Sequence, residues 1–579
     1  MDAELEKIRH SCSHVLAQAV KKLFPNAKFG IGPAIEDGFY YDFDNVELKE
    51  EDLAKIEKEM HRIVKENQKF EEIEVTKEKA EEMLKDEPYK LELLQELTGK
   101  ITFYKNGSFI DLCKGPHIKS TGEIKAFKLT RIAGAYWKGD SNRPMLQRIY
   151  GIAFESEKEL KDYLTLLEEA EKRNHVRLGK EMGLFSIHEE GPGFPFFHPK
   201  GMIIWHELMK YWKEEHNRES YSEIKTPIIL NKRLWEQSGH WDHYKENMYF
   251  TKIDNKDFAV KPMNCPGGIL VYRSTLHSYR ELPLKWAEIG LVHRHELSGV
   301  LNGLFRVRCF HQDDAHIYCM EDQIKDEVIS IMRLIDRVYK TFKLEYHVEL
   351  STKPENHIGD DKLWENAENA LKSALKEVKK DYKLNPGDGA FYGPKIDFHI
   401  KDALGRTWQC ATIQLDYAMP ERFDLTYEGE DGRKHRPVML HRVVYGAVER
   451  FLGILIEHYA GKFPAWLAPV QVVLMTVTDR NEKYAEEVFG LMKQAGIRVE
   501  LDDRSESIGK KVRDNQVRKI CYMITLGDKE QENKTLAIRT RDGKVRFGVK
   551  VEDFLEELTK EIRERIPFIT KQIIEEERI

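Results

Sequence analysis

The chain has 579 residues, of which 41% are hydrophobic and 33% charged, with a formal net charge of −7. Because this length exceeds what one hydrophobic core can serve, we expect about three or four domains. No apolar run is long enough to span a membrane, the start "MDAELEKIRH" lacks the apolar region of a signal peptide, and the seven cysteines include no C-x-x-C pair. These features exclude a membrane protein and a disulfide-stapled secreted domain, and they predict a cytoplasmic protein.

The first predicted domain spans residues 1–153 and mixes helices with short strands. Its clearest helix is "EEDLAKIEKEMHRIVKEN", in which apolar residues such as Leu53, Ile56 and Met60 recur at helical spacing. Residues 154–186 are predicted to form one long polar helix that joins two domains. The glycines and prolines of "EEGPGFPFFHPKG" mark the beginning of the next domain.

A second domain is predicted over residues 187–464 and a third over residues 465–579. The second has a helix followed by strands such as "LPLKWAEIGLVHR" and "TWQCATIQLDYAMP", and the turn in "DALGRTW" indicates antiparallel pairing. It closes with a predicted apolar helix, "MLHRVVYGAVERFLGILIEHYAG". The third alternates strands and helices, which is typical of an α/β domain with a partly parallel sheet. The predicted fold class is therefore multidomain α+β.

One predicted strand, "RVRCFHQDDAHIYC", carries an unusual set of polar side chains. Alternate residues of a strand share a face, and this face would contain Arg306, Arg308, Phe310, Gln312, Asp314 and His316. Arginine forks suit phosphate, and a phenylalanine ring can stack on a base. The face predicts a nucleotide at one end and a small polar substrate at the other. A surface strand with unrelated polar residues is the alternative.

Three residues that lie far apart in the sequence could bind a metal. Cys265 lies in the loop "KPMNCPGG", His316 ends the polar face, and His441 opens the predicted closing helix. One cysteine and two histidines leave a tetrahedral zinc ion open to substrate. Taken singly, each residue is better explained as a buried thiol, a core histidine or a neighbour of a helix cap.

Several motifs together resemble those of the threonyl-tRNA synthetases, a family of class II aminoacyl-tRNA synthetases. They are "KPMNCPG", "RHELSG", "RVRCFHQDDAH", "GAFYGPKIDF", "WQCATIQLD", and "VMLHR" followed by "GAVERF". The segment that ends at Pro227 resembles class II motif 1, residues 294–310 resemble motif 2, and the helix with Glu449 and Arg450 resembles motif 3. The resemblance extends from residue 1 to about residue 570.

The resemblance implies an antiparallel catalytic sheet with flanking helices, between an N-terminal editing domain and a C-terminal anticodon-binding domain. The chain would activate threonine with ATP and transfer it to tRNA(Thr), as a homodimer joined through motif 1. It begins directly at the editing-type domain, so we expect a form without the small ubiquitin-like domain that often precedes it in the family.

The resemblance also implies which residues bind ATP, with Mg²⁺ as its companion ion. Arg294 would hold the α-phosphate, and Arg450 would contact the γ-phosphate side; these are the two expected catalytic residues. The other ATP-binding residues would be Glu296 on the adenine amino group, Phe310 stacked on the ring, Arg306 on phosphate, and Gln409. Because a carboxylate attacks the α-phosphorus in line, positioning and charge neutralisation suffice for this step.

By the same resemblance, one Zn²⁺ per subunit would be bound by Cys265, His316 and His441. Threonine would coordinate this ion through its amino and β-hydroxyl groups, and Asp314 would accept from the hydroxyl. The pocket would be completed by Met263, Gln312, Tyr392 and Gln414. Valine has no hydroxyl to ligate the metal. Serine does, and it lacks only a methyl group worth roughly 1–3 kcal/mol, so a second, proofreading site is needed.

The N-terminal domain contains a candidate for that second site. The segments "HSCSH" and "DLCKGPH" contribute His10, His14, Asp111, Cys113 and His117. An H-x3-H pair with a C-x3-H pair fits a zinc site on ligand chemistry alone, and two structural histidines on a helix are the plain alternative. The resemblance assigns these positions to hydrolysis of Ser-tRNA, with Tyr41 as a contributor. It does not decide whether a metal ion is bound there.

Two basic segments of the C-terminal domain suit an RNA backbone. Residues 504–519 contain six basic and two acidic residues, and residues 539–550 contain five and one. A solvated helix face is the alternative for the first segment. By resemblance, Glu530 and Arg539 would read unstacked anticodon bases.

Two rival functions share many of these features. One is a Ser-tRNA deacylase with a vestigial synthetase core, and the other is an RNA-binding regulator without turnover. The presence of Arg294, Arg450 and the cysteine–histidine set favours the ligase, because an inactive relative would be expected to lose some of them.

Overall fold

The computed structural model describes residues 3–36, 38–140, 142–402 and 405–566. The chain forms two compact units, Met1–Glu169 and Ala170–Ile579. Across the described ranges, no helix combines the length and the apolarity that crossing a membrane requires. All seven cysteines are free, and five of them are buried.

The first unit is built from helices packed on an antiparallel sheet. Its helices are α1 (Ala3–Leu23), α2 (Glu50–Lys65), α3 (Lys77–Met83), α4 (Pro88–Glu96) and α5 (Glu157–Arg173), the last of which crosses the boundary. Its strands are β1 (Lys28–Phe29), β2 (Ala34–Ile35), β3 (Gly38–Asp44), β4 (Phe70–Glu74), β5 (Thr102–Asn106), β6 (Phe109–Leu112), β7 (Ala126–Tyr136) and β8 (Met145–Phe154). The sheet order is β1-β3-β8-β7, with β2 beside β3, and β4-β5-β6 form a separate sheet. Helix α2 buries Leu53, Ile56 and Met60 as its spacing predicts.

The second unit begins with an eight-stranded sheet and its helices. The helices are α6 (His175–Met182), α7 (Pro199–Arg218), α8 (Lys232–Ser238), α9 (His240–His243), α10 (Cys265–Tyr272), α11 (Ile324–Phe342), α12 (Asp361–Glu377), α13 (Ala418–Arg422) and α14 (Val448–His458). The strands are β9 (Phe185–Ser186), β10 (Phe196–Phe197), β11 (Ser222–Glu223), β12 (Ile229–Asn231), β13 (Tyr249–Ile253), β14 (Lys256–Val260), β15 (Leu284–His293), β16 (Cys309–Cys319), β17 (Glu345–Ser351), β18 (Lys383–Asn385), β19 (Lys395–Lys401), β20 (Thr407–Asp416), β21 (Tyr427–Glu428), β22 (Lys434–His435) and β23 (Val438–Val443).

The large sheet has the order β11-β15-β16-β23-β20-β19-β17-β18. Only its two edge pairs, β11–β15 and β17–β18, are parallel among the described strands, and the rest is antiparallel. Helices α11 and α14 contribute their apolar faces to the core on one side of this sheet. The other side is free to present polar side chains.

The C-terminal part of the second unit contains α15 (Glu482–Gln494), α16 (Ile508–Val517), α17 (Asp528–Asn533) and α18 (Val551–Arg563), with β24 (Val472–Thr476), β25 (Val499–Asp502), β26 (Tyr522–Leu526), β27 (Thr535–Thr540) and β28 (Val545–Lys550). The sheet order is β25-β24-β26-β27-β28. The first three strands are parallel and the last two pairs antiparallel. The prediction of a partly parallel α/β domain is confirmed.

Two predicted elements are wrong in their extent. The single joining helix is two helices, α5 and α6, because the Asn174 side chain accepts the N–H groups of Val176 and Arg177 and so begins a new helix. The strand predicted from Arg306 begins only at Cys309, since Arg308 N–H donates to the Gly193 carbonyl instead of pairing in the sheet.

The position of two metal-ligand candidates also differs from the prediction. His441 lies on strand β23, and the closing helix begins only at Val448. The intervening backbone cannot be helical because the N–H groups of residues 444–446 all donate to the buried carboxylate of Asp313. Cys265 is not in a loop; it is the first residue of helix α10.

Candidate active sites

Strands β16, β23 and β20 lie side by side and place three predicted residues in one row. His316 pairs with His441 across the first two strands, and His441 pairs with Gln414 across the next two. Directly paired residues in antiparallel strands point to the same face with their Cβ atoms about 4.5–5.5 Å apart. The sheet register therefore brings together side chains from distant parts of the sequence.

Helix α10 places Cys265 against this row. The sulfur and the imidazole nitrogens of Cys265, His316 and His441 all lie within 4.8 Å of one another, and the three residues are buried. Within the described residues, the Nε2 atom of His316 has no hydrogen-bond partner. His441 Nε2 lies 2.8 Å from the Asp416 carboxylate and donates its proton to it. The lone pair of Nδ1 on the same ring is then available to bind a metal ion.

The protonation of these groups suits a divalent metal ion. Burial raises the pKa of the Cys265 thiol and holds the pKa of His316 well below its ordinary value. The imidazole is therefore already the neutral form that metals bind, and a metal would displace only the thiol proton. Asp416 orients one histidine in the way that carboxylates commonly support zinc ligands. The donor set thus fits zinc.

The residues expected to surround the amino acid lie beside this cluster. Burial raises the pKa of Asp314 to about 6, while its carboxylate accepts a bond of 3.3 Å from Asn264 Nδ2. The Tyr392 ring centroid lies 5.2 Å from that of His441. Gln414 Nε2 donates to the Gly393 carbonyl at 3.1 Å.

Met263 packs against the apolar cluster that contains Cys265 and Tyr392, and its sulfur lies 3.0 Å from Nε2 of the buried His240. Neither His240 nor Asn264 had a role in the sequence prediction. Asn264 adjoins Cys265 in the "MNC" segment, which could have pointed to it, but His240 had no comparable signal.

A cavity of about 210 Å³ opens next to the same strand β16. Its lining includes all six residues expected to bind ATP: Arg294, Glu296, Arg306, Phe310, Gln409 and Arg450. Gln312 also lines it, so this side chain lies where the nucleotide and the amino acid would meet. The structure therefore brings the predicted ATP residues together.

The arginines of this cavity are positioned by neighbouring backbone and acid groups. Arg294 Nε donates to the Pro262 carbonyl, and its guanidinium lies 5.1 Å from the centroid of the Phe310 ring. Arg306 Nε donates to Glu296 at 2.9 Å. Arg450 Nε donates to the Phe305 carbonyl at 2.9 Å.

Arg308 differs from these three arginines because it is not among the residues that line the cavity. Its guanidinium donates to the carbonyls of Glu296 and Pro192 at 2.8 and 3.1 Å. These bonds hold the segment that leads into β16, and together with its position outside the cavity lining they favour a structural role for Arg308 over the expected phosphate contact.

In the first unit, helix α1 and the segment after β6 bring together His10, His14, Cys113 and His117. Their potential ligand atoms all lie within 4.8 Å of one another. Cys113 Sγ lies 3.3 Å from Nε2 of both His10 and His117, and the ring centroids of His14 and His117 are 4.3 Å apart. We call these four residues the His10 cluster.

The hydrogen bonds of the cluster define one reactive atom. His10 Nδ1 lies 3.2 Å from the Pro116 carbonyl, and a carbonyl only accepts, so Nδ1 carries the proton and Nε2 carries the lone pair. Burial lowers the pKa of His10 and raises the pKa of Cys113 to about 11. At neutral pH the cluster therefore offers a neutral imidazole base beside a protonated thiol.

Asp111, whose charge raises the pKa of His10 against the effect of burial, binds both Tyr41 and a residue that the sequence prediction missed. The Tyr41 hydroxyl donates to Asp111, and Lys90 Nζ lies 2.7 Å from the other oxygen of the same carboxylate. All three residues are buried. No local pattern marks Lys90, since it lies on α4, which is remote in sequence from the other members.

The predicted anticodon residues lie on a helix and on a strand next to the edge of the C-terminal sheet. Glu530 on α17 accepts the Gly527 N–H at 3.0 Å, and Arg539 on β27 donates to the Gly543 carbonyl at 3.3 Å. One basic residue of the 504–519 segment is not available to RNA: Lys511 is buried and donates to the carbonyls of Thr476 and Asp502.

Comparisons with known proteins agree with this geometry. Family models match for the class II tRNA synthetase core domain (G, H, P, S and T) at residues 249–459, for an anticodon-binding domain at 471–561, and for the second additional domain of threonyl and alanyl tRNA synthetases at 101–150. The threonine–tRNA ligase of Clostridium tetani is 60% identical over 96% of this chain and 88% of its own length. That of Carboxydothermus hydrogenoformans is 60% identical over 97% and 90%.

The chain belongs to the threonyl-tRNA synthetase family. Solved structures agree: the RNA-binding domain of threonyl-tRNA synthetase from Cryptosporidium parvum superimposes with a TM-score of 0.65 at 39% identity, over 67% of this chain and 98% of that one. A threonyl-tRNA synthetase from Aeropyrum pernix gives 0.60 at 30% identity, over 68% and 97%. The prediction of a threonine–tRNA ligase with an editing domain and an anticodon-binding domain is confirmed, and neither rival function is favoured.

Phe310 allows a direct test of the nucleotide cavity of this synthetase. Phe310→Ala is expected to raise the KM for ATP by about 10- to 100-fold, because base–aromatic stacking contributes about 1–3 kcal/mol. Phe310→Tyr keeps the ring and should stay within about twofold. Initial rates of threonine-dependent pyrophosphate exchange at varied ATP provide the measurement. An equal loss for both variants, or a KM change only for threonine, would place the base elsewhere.

Proposed function

We propose that the polar face of the large sheet activates threonine around a zinc ion bound by Cys265, His316 and His441. The observation that carries this proposal is the buried three-donor cluster beside the ATP-type cavity. ATP, with Mg²⁺, would occupy that cavity, where Arg294 and Arg450 neutralise phosphate charge, Arg306 adds a further contact, and Glu296 reads the adenine. When bound by these three residues, zinc would act as a Lewis acid toward the amino and β-hydroxyl groups of threonine.

The chain's own residues orient the two reactants. Asp314, held by Asn264, accepts a hydrogen bond from the threonine hydroxyl. Gln312 lies at the junction of the two pockets, while Met263, Tyr392 and Gln414 enclose the amino acid. The threonine carboxylate then attacks the α-phosphorus, the bond to the β-phosphate oxygen breaks, and pyrophosphate leaves. Fixed arginines stabilise this transition state because they need not reorganise as charge develops.

The His10 cluster would hydrolyse the ester of seryl-tRNA. The lone pair of His10 Nε2 accepts a proton from water, the resulting hydroxide attacks the seryl carbonyl, and the ester bond to the ribose oxygen breaks as that oxygen regains a proton. Lys90, Asp111 and Tyr41 form the polar wall that orients the substrate. His14, Cys113 and His117 position His10 and the water.

The remaining roles concern partners. Glu530 and Arg539 would contact anticodon bases of tRNA(Thr), and the exposed basic residues of 504–519 and 539–550 would contact its backbone. The segment that ends at Pro227 would form the homodimer interface. These roles rest on the family and on residue type.

The deciding experiment for the catalytic site is amino-acid-dependent ATP–pyrophosphate exchange, with threonine, serine and valine compared before and after zinc chelation. Threonine should support exchange, serine should support it more weakly, valine should not, and chelation should abolish it. Exchange that persists after chelation would remove zinc from the mechanism. A protein that strips serine from tRNA without any exchange would be a deacylase instead.

A further inference from the structure

A third group of potential metal ligands lies away from both proposed sites. His347 and Glu349 are on β17, and His399 is on β19. The strand register pairs His347 directly with His399, and Glu349 lies two residues along the same face of β17. We call these three residues the His347 cluster.

The potential ligand atoms of the His347 cluster lie close together. His347 Nε2 lies 3.1 Å from one carboxylate oxygen of Glu349, and His399 Nε2 lies 3.5 Å from the other. The two imidazole rings are almost parallel, with centroids 4.9 Å apart and an angle of 13°. All three ligand atoms lie within 4.8 Å of one another. A tetrahedral zinc ion with bonds of about 2.0–2.2 Å has its ligand atoms roughly 3.3–3.5 Å apart.

The surroundings of the cluster also suit a metal ion. Its three side chains are half-buried, so an ion would have protein on one side and open positions toward solvent. Asn385 Nδ2 lies 3.5 Å from the Glu349 carboxylate, a contact of the kind that orients ligands.

The position of the cluster relates it to the nucleotide cavity. His399 pairs with Gln409 across β19–β20, and Gln409 lines that cavity. Gln409 also donates at 2.6 Å to Asp397, which pairs with Glu349. The His347 cluster therefore lies on the catalytic face of the sheet, toward its outer edge.

We propose that His347, Glu349 and His399 form a second binding site for a divalent transition metal ion, with two imidazoles and one carboxylate as ligands. Zn²⁺, Co²⁺ and Ni²⁺ are the ions that this set favours over Mg²⁺ or Ca²⁺, which prefer oxygen ligands. An ion here would cross-link β17 to β19.

Cobalt allows the sites to be distinguished. Of the three ligand groups in the described part of the chain, the His347 cluster is the one without cysteine. Co²⁺ bound to Cys265 or Cys113 would show a sulfur-to-metal charge-transfer band, whereas Co²⁺ in the His347 cluster would show only d–d absorption. The full chain is stripped of metal, titrated with Co²⁺, and freed of unbound ion before its metal content is measured.

His399→Gln and His347→Gln should each lose one equivalent of bound Co²⁺ and part of the d–d absorption, with the charge-transfer band unchanged. The matched control is His206→Gln, at an exposed histidine on α7. It should retain the full amount of bound Co²⁺ and the full d–d absorption. Circular dichroism and pyrophosphate exchange check that the variants fold. If both variants bind as much Co²⁺ as the control, the residues are only a hydrogen-bonded cluster and the proposal is overturned.

Discussion

Cys265→Ser is expected to reduce threonine-dependent pyrophosphate exchange by at least about 1,000-fold. A serine hydroxyl is not deprotonated by metal as readily as a thiol, so the buried site would lose its only anionic ligand. Without the ion, Asp314 still accepts from the threonine hydroxyl, but the amino nitrogen and the hydroxyl oxygen lose their shared ligand, and polar groups left unpaired in such a site cost several orders of magnitude in rate. Exchange rates and the charge-transfer band of Co²⁺-loaded protein provide two independent readouts.

The matched control for this variant is Cys521→Ser, at the residue that directly precedes strand β26 of the C-terminal sheet. Cys521 is also buried, and its sulfur donates to the Phe463 carbonyl, so the control removes a thiol without touching the catalytic face. It should keep exchange within about twofold. Deacylation of seryl-tRNA should survive in both variants. If Cys265→Ser retains exchange that a chelator still abolishes, the metal is bound elsewhere.

His10→Asn is expected to lower the rate of seryl-tRNA hydrolysis by about 100-fold or more while leaving threonine activation unchanged. The asparagine amide can still donate to the Pro116 carbonyl, as His10 Nδ1 does, but it has no basic nitrogen in the place of Nε2. A general base contributes about 10²- to 10⁴-fold in rate. The measurement is release of labelled serine from preformed Ser-tRNA(Thr), together with accumulation of Ser-tRNA(Thr) during aminoacylation with serine.

His61→Asn provides the control for the editing variant, because His61 is an exposed histidine on α2 of the same unit. Its hydrolysis rate should equal that of the unmodified protein. Adding zinc or a chelator to His10→Asn and to the control also tests the metal question at this site. If a chelator abolishes hydrolysis by the control, the site depends on a metal ion, and His10 would then be assigned as a metal ligand instead of the general base. Unchanged hydrolysis in His10→Asn would assign the base to another residue.

The local patterns predicted much of what the structure contains. The helical spacing of Leu53, Ile56 and Met60 gave a helix with correct buried residues, because amphipathic periodicity reflects one buried face. The alternation from Phe310 to His316 also holds, since a strand that is polar on one face keeps its register. The motif resemblance located the residues that line the cavity, and it located the three metal-ligand candidates Cys265, His316 and His441.

What the sequence did not predict depends on long-range partners. His441 was expected on a helix, but the Asp313 carboxylate binds the N–H groups of residues 444–446 and prevents one there. Lys511 was expected to face RNA, but two carbonyls hold it in the interior. The interaction of Lys90 with Asp111 joins α4 to β6. None of these contacts leaves a local signal, because each partner lies many residues away.

The burial of the cysteines has a consequence for chemical damage. Peroxide and alkylating agents attack thiolate, not thiol. Burial raises the pKa of all seven thiols, to about 11 at Cys309 and Cys113 and to about 12 at Cys410. In the metal-free protein at neutral pH, each cysteine is therefore kept almost wholly in its unreactive form. Burial therefore slows the reaction of these thiols with oxidants, and at Cys265 and Cys113 this protection lasts while no bound metal ion and no neighbouring imidazole takes the thiol proton.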